Sequence, residues 1–185
     1  MIDPLGIFCF EGDWGNRLDD TTSVRPLLET MNRVVGVNYI HRRIGTKSEL
    51  YYYVDRWLDD DLAAYRVGHF AFHGEDSALC VNDERVTLRG LGRKIGNRAE
   101  GRIIYFDACD TLNVDDSELD GFLSNTGADA VIGYAANVDW MESAAFDLLL
   151  FYALSHHPTM GDAKNWLEDA HGGLGSRLEL RFRHS

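Results

Sequence analysis

Short apolar runs alternate with amphipathic stretches along this chain. Leu5 to Phe10 is a compact apolar run of strand length. Pro26 opens a pattern in which Leu27, Leu28, Met31, Val34 and Val35 recur at helical spacing. A first helical turn accepts proline because its N–H would be unpaired there anyway. Val37 to Ile44 alternates, with Val37, Tyr39 and Arg43 on one face, and predicts a second strand. Thr46 to Leu58 predicts a helix, with Thr46 and Glu49 spaced as a capping box. Val67 to Phe72 predicts a third strand, and Ala78 to Val81 with Arg85 to Leu88 a small hairpin around Asn82-Asp83. Arg102 to Phe106, rich in β-branched and aromatic residues, predicts a fourth strand. Ser117 to Ser124 reads as a helix and Ala130 to Tyr134 as a fifth strand. Met141 to Ser155 and Gly161 to Ala170 read as helices, and Leu178 to Phe182 as a closing strand. Gly172-Gly173-Leu174-Gly175 lacks the Lys-Ser/Thr of a phosphate loop and reads as a turn into that strand.

Strands alternating with helices build βαβ units. The expected fold class is α/β, with about six strands in a mostly parallel sheet and helices on both faces. In such sheets functional groups collect beyond the carboxyl ends of the strands.

Composition narrows the function. The 185 residues suit one domain spanning residues 1–185, large enough to bury a core without staples. A net charge of −12 repels phosphate backbones and anionic lipid, so neither nucleic acid nor membrane is an expected partner. The three cysteines, Cys9, Cys80 and Cys109, are odd in number and show no Cys-x-x-Cys spacing. Neither a disulfide framework nor structural zinc is expected, and the pattern fits a reducing compartment. Met1 to Pro4 shows no basic leader segment, and no apolar run approaches the ~20 residues of a membrane span, so the expectation is a cytoplasmic protein.

Two strands end in reactive residues. One reads His69-Phe70-Ala71-Phe72-His73-Gly74, the other Ile103-Ile104-Tyr105-Phe106-Asp107-Ala108-Cys109-Asp110. As neighbours in the sheet, these strands would bring His73 and Cys109 to one edge. A thiolate is the attacking form of cysteine, and an imidazole can take the thiol proton and return it to a leaving amine. The oxyanion of the intermediate needs preorganised N–H donors. Gly74 can bring its backbone close because it has no side chain, and the Cys109 N–H is a second donor. No cofactor is called for.

A strand ending in His-Gly followed by one ending in Asp-Ala-Cys resembles the caspase-like (clan CD) cysteine peptidases, among them caspases, metacaspases and the bacterial CHAT proteases. The resemblance runs from His69 to about Ala153 and includes Ala128-Asp129-Ala130-Val131-Ile132-Gly133 and the helix after Trp140. It implies a three-layer α/β/α sandwich and an endopeptidase with a His73/Cys109 dyad. Asp110-Thr111 after the cysteine departs from the metacaspase pattern, and Asp107 departs from caspases. In the family the residue two before the nucleophile lines the S1 pocket, so Asp107 implies cleavage of proteins or peptides after Arg or Lys. A second pocket residue usually follows the first strand, which points to Glu11 and Asp13. The segment Tyr134 to Trp140 would flank substrate, with Tyr134 and Trp140 in further subsites. Relatives of this type serve as effectors in stress or antiviral defence, which implies activation by a protein partner or a small-molecule signal.

Blander readings compete. A strand-end cysteine is often a small apolar residue, and Cys9 and Cys80 are read as such. His69 and His73 lie far apart on a strand, so they are not read as a metal pair. Asp107 has a competing reading as a turn former, and Asp110 as either an orienter of His73 or a cap. Asp59-Asp60-Asp61 and Asp115-Asp116 read as solvated or N-cap positions. At the level of function, the alternative is a non-catalytic caspase-like sensor or scaffold.

Overall fold

The computed structural model describes residues 5–185, so Met1 to Pro4, read above for a leader, lie outside the described residues. The central sheet contains β1 (Gly6–Glu11), β2 (Asn38–Arg43), β3 (Val67–Ala71), β7 (Ile103–Asp107), β8 (Ala130–Tyr134) and β9 (Leu180–His184). Its spatial order is β2-β1-β3-β7-β8-β9. Every pairing is parallel except β8 with the antiparallel edge strand β9. A second sheet holds β4 (His73–Glu75), β5 (Ala78–Val81) and β6 (Glu84–Thr87), in the order β4-β5-β6.

Side chains alternate across the main sheet and give two cores. On one face Ile7, Cys9, Val67, Ile103, Tyr105 and Ile132 pack against α1 (Arg25–Val35), α5 (Trp140–His156) and α6 (Met160–Arg177). On the other Phe8, Phe10, Phe70, Ile104, Phe106 and Val131 pack against α2 (Lys47–Trp57), α3 (Leu88–Ile95) and α4 (Asp116–Thr126). This is the expected three-layer arrangement. Gly68 lets the Trp57 indole lie flat on β3, since a Cβ there would sit 2.7 Å from the ring.

Local signals explain most element ends. Thr46 and Glu49 form the capping box of α2. Asp115 caps α4 by accepting from the Glu118 N–H, and Asp59 precedes a 3-10 turn at Asp60–Leu62.

Three expectations need correction. Leu88 does not end the hairpin: Thr87 accepts from the Gly90 N–H and caps α3, a helix hidden by its two glycines. Gly172 to Gly175 do not form a turn but lie within α6, where tertiary packing overrides their low helix propensity. His73-Gly74 does not extend β3. It starts β4, which turns away into the second sheet. Among the described residues no helix is long and apolar enough to cross a membrane.

Candidate active site

Adjacent parallel strands bring the two reactive residues to one end of the sheet. Ala71 on β3 pairs with Asp107 on β7, and His73 and Cys109 each lie two residues beyond that pair. The junction is tight. A Cβ on Gly74 would collide with the Cys109 carbonyl oxygen and lie 2.7 Å from Thr111 Oγ1, so only glycine fits. The Phe72 N–H donates to the Asp107 carbonyl at 3.3 Å. Asp110, in the left-handed region at φ 55°, fastens the loop after Cys109 to the second sheet. Its carboxylate accepts from the Asp76 N–H at 3.1 Å and its carbonyl from the Ser77 N–H at 3.2 Å. Asp110 is thus a clasp between loops.

The chain reverses direction between β1 and β3: β2 lies to one side of β1, and β3, β7 and β8 to the other. The loops leaving β1 and β3 diverge at such a switch point and leave a crevice. Trp14 from the first loop meets His73 from the second there. His73 Nε2 donates to the Trp14 carbonyl at 2.9 Å, which puts the ring hydrogen on Nε2 and leaves Nδ1 as the lone-pair nitrogen. The Trp14 indole packs edge-on to the imidazole at 5.2 Å and to Trp140 at 4.6 Å. Cys109 is half-buried; its sulfur accepts from the Val138 N–H at 3.4 Å and lies 4.0 Å from the Val138 carbonyl.

Glu11 ends β1 fully buried. It accepts from Trp14 Nε1 at 2.6 Å, Ser23 Oγ at 2.7 Å and the Val24 N–H at 2.7 Å, and lies 2.5 Å from His41 Nε2. Burial alone would raise its pKa, but the bonds from His41, Trp14, Ser23 and Val24 outweigh it and hold the carboxyl at about 2. These donors occupy both Glu11 oxygens. The structure therefore gives Glu11 the work of fixing the Trp14 loop. Asp13 is exposed and pairs with Arg43 at 3.1 Å. Tyr134, expected beside substrate, is turned into the core, where its hydroxyl meets that of Tyr105 at 2.5 Å. Trp140 remains partly exposed at the rim.

Asp107 is 6 % exposed at the end of β7, with Oδ2 lying 3.3 Å from His69 Nε2. Beneath it lies Asp147 of α5, fully buried, with Oδ1 accepting from Tyr105 Oη at 2.6 Å. Sequence reasoning included Val138 only within the segment Tyr134 to Trp140 and missed Trp14 and Asp147. Only Asp147 carried a signal, as an acid inside an apolar helical run.

Similarity to known proteins follows the fold. The structure of caspase-1 from Spodoptera frugiperda superposes with a TM-score of 0.58 at 12% identity, over 98% of this chain and 87% of that one. The structure of pro-sf-caspase-1 gives a TM-score of 0.48 at 12% identity, over 82% of this chain and 72% of that one. At such identities the likeness is one of fold. No curated protein matches the sequence. A family model matches residues 5–184, so the chain belongs to the family described as a family of unknown function (DUF6642), here seen on a caspase-like scaffold.

Proposed function

We propose that this protein is a cysteine endopeptidase that cleaves after Arg or Lys, with Cys109 as nucleophile and His73 as base. The observation that carries this reading is the close approach of the His73-Gly74 chain to Cys109, where a Cβ on Gly74 would overlap the Cys109 carbonyl oxygen, with the His73 Nε2 hydrogen spent on a carbonyl. In the reaction His73 Nδ1 takes the thiol proton and the sulfur attacks the scissile carbonyl carbon. The Gly74 and Cys109 N–H groups would receive the oxyanion. The C–N bond then breaks, His73 gives its proton to the departing amine, and water hydrolyses the thioester.

Asp107 supports a basic P1 residue, as a mostly buried carboxylate on the face of β7 from which the chain continues to Cys109. Trp140, partly exposed at the rim, would offer an apolar surface to neighbouring substrate residues. We further propose a cytoplasmic effector role in defence or stress, switched on by a protein or small-molecule signal.

Purified protein incubated with fluorogenic peptides bearing Arg, Lys or Asp at P1, beside Cys109→Ala, tests the reading. Cleavage after Arg or Lys that Cys109→Ala abolishes is the expected result. Cleavage only after Asp would overturn the specificity. Cleavage that survives Cys109→Ala would overturn the mechanism. Silence towards every peptide, in the presence of cell extract as a source of activator, would favour the sensor or scaffold reading.

A further inference from the structure

Beneath the strand ends lies a carboxylate pair, Asp107 and Asp147, beside which the described residues place no lysine or arginine. His69, Asp107 and Asp147 each offer a ligand atom within 4.8 Å of the others, and all three are buried. Among the described residues, Asp147 Oδ2 and His69 Nδ1 have no hydrogen-bond partner. Such orphaned polar atoms are costly in a buried site. The other neighbours, Tyr105 and Tyr134, present hydroxyls rather than cations. Two carboxylates this close cannot both be ionised without a positive charge between them. Burial, and then the Asp107 carboxylate, push the Asp147 carboxyl up from its ordinary value.

We propose that Asp147 is the second carboxylate of the P1 pocket, and that the guanidinium or ammonium of a substrate Arg or Lys is the cation the Asp107–Asp147 pair takes. This rests on the peptidase reading above and replaces Glu11, whose oxygens are already occupied, as partner of Asp107. Asp107 ends β7 two residues before Cys109, so the pair lies behind the turn that carries the nucleophile. The long apolar stems of Lys and Arg deliver their charge at the tip. Asp107 meets solvent and forms the lip; Asp147, 0 % exposed, forms the floor. A guanidinium has enough N–H donors to serve both carboxylates at once.

The test uses agmatine, which carries a guanidinium on a four-carbon stem, in calorimetric titrations of wild type, Asp107→Asn and Asp147→Asn, with thermal melts confirming that each variant is folded. In parallel, kcat/KM is compared for peptides with Arg and with the uncharged citrulline at P1. Each variant should weaken agmatine by about tenfold or more, and Asp147→Asn should cut the Arg-over-citrulline preference by a similar factor. Asp147-dependent agmatine binding without any peptide cleavage would keep the pocket and sink the peptidase reading. Cleavage after Arg with an unchanged Arg/citrulline ratio in Asp147→Asn would sink the pocket and keep the peptidase. Absence of agmatine binding to wild type, or stoichiometric Zn2+ binding in its place that the Asn variants lose, would also overturn the inference.

Discussion

Trp14 holds His73 in two ways: its carbonyl accepts the Nε2 hydrogen at 2.9 Å, and its indole lies edge-on to the imidazole at 5.2 Å. The acceptor is main chain, so no side-chain substitution removes it directly. What the Trp14 side chain controls is where the loop sits, through its bond to the buried Glu11 carboxylate. Trp14→Ala is therefore expected to lower kcat by about tenfold with a smaller change in KM, because the base is mispositioned while the substrate pocket is intact. Steady-state kinetics on an Arg-P1 peptide checks the split. Equal losses in both parameters would mean that the indole contacts substrate.

Gly74→Ala places a methyl group against the Cys109 carbonyl and Thr111 Oγ1, where the nearest atoms are largely backbone and cannot swing aside. The strand ends must part. We expect a loss of about a hundredfold in kcat/KM and a destabilisation of about 1–3 kcal/mol, measured by peptide hydrolysis and urea unfolding.

Glu11→Gln tests the buried anchor. Removing the charge from a site built of donors should cost about 3 kcal/mol at neutral pH by urea titration. Because the folded carboxyl sits at about 2 against an ordinary 4.5, Glu11 stabilises the fold above pH 4.5 and loses that contribution as pH falls from there towards about 2. The gap between wild type and Glu11→Gln should therefore narrow steadily over that window.

Asp147→Asn should behave with the opposite sign. Burial and the neighbouring Asp107 raise its carboxyl above the ordinary 3.8, so its protonated form suits the fold. That stability is present at pH below 3.8 and is lost as pH rises. At pH 7 the Asn variant is expected to melt about 2–4 °C higher than wild type, and at pH 3 at nearly the same temperature, by calorimetry. A protein that tolerates such a cost keeps the carboxylate for something other than stability.

The sheet was legible because its strands are apolar runs bounded by polar residues. Val67 to Phe72 and Ala130 to Tyr134 were located to within a residue, since both strand faces are buried. Helices with glycines were not legible. Leu88–Ile95 and the second half of α6 are held by tertiary packing rather than propensity. At the candidate site, His73, Gly74, Cys109 and Asp107 stand out because polar residues at strand ends interrupt an apolar run. Trp14 acts through its backbone, and Val138 likewise contributes its amide, so residue type gave no clue to either. Glu11 looked like a free acid because its partners, His41 and Ser23, lie far along the chain and only the fold assembles them.

The clasp at Asp110 has a mechanical consequence. Cys109 rides on the end of the six-stranded sheet, whereas His73 rides on the edge of the three-stranded one, level with Cys80. Cys109 and His73 therefore belong to two ribbons, tied by the Asp110 bonds and by the close approach of Gly74 to the Cys109 carbonyl. Their spacing is set by these loop contacts, so a substitution that loosens them would move His73 away from Cys109 while every rung of the large sheet stays made.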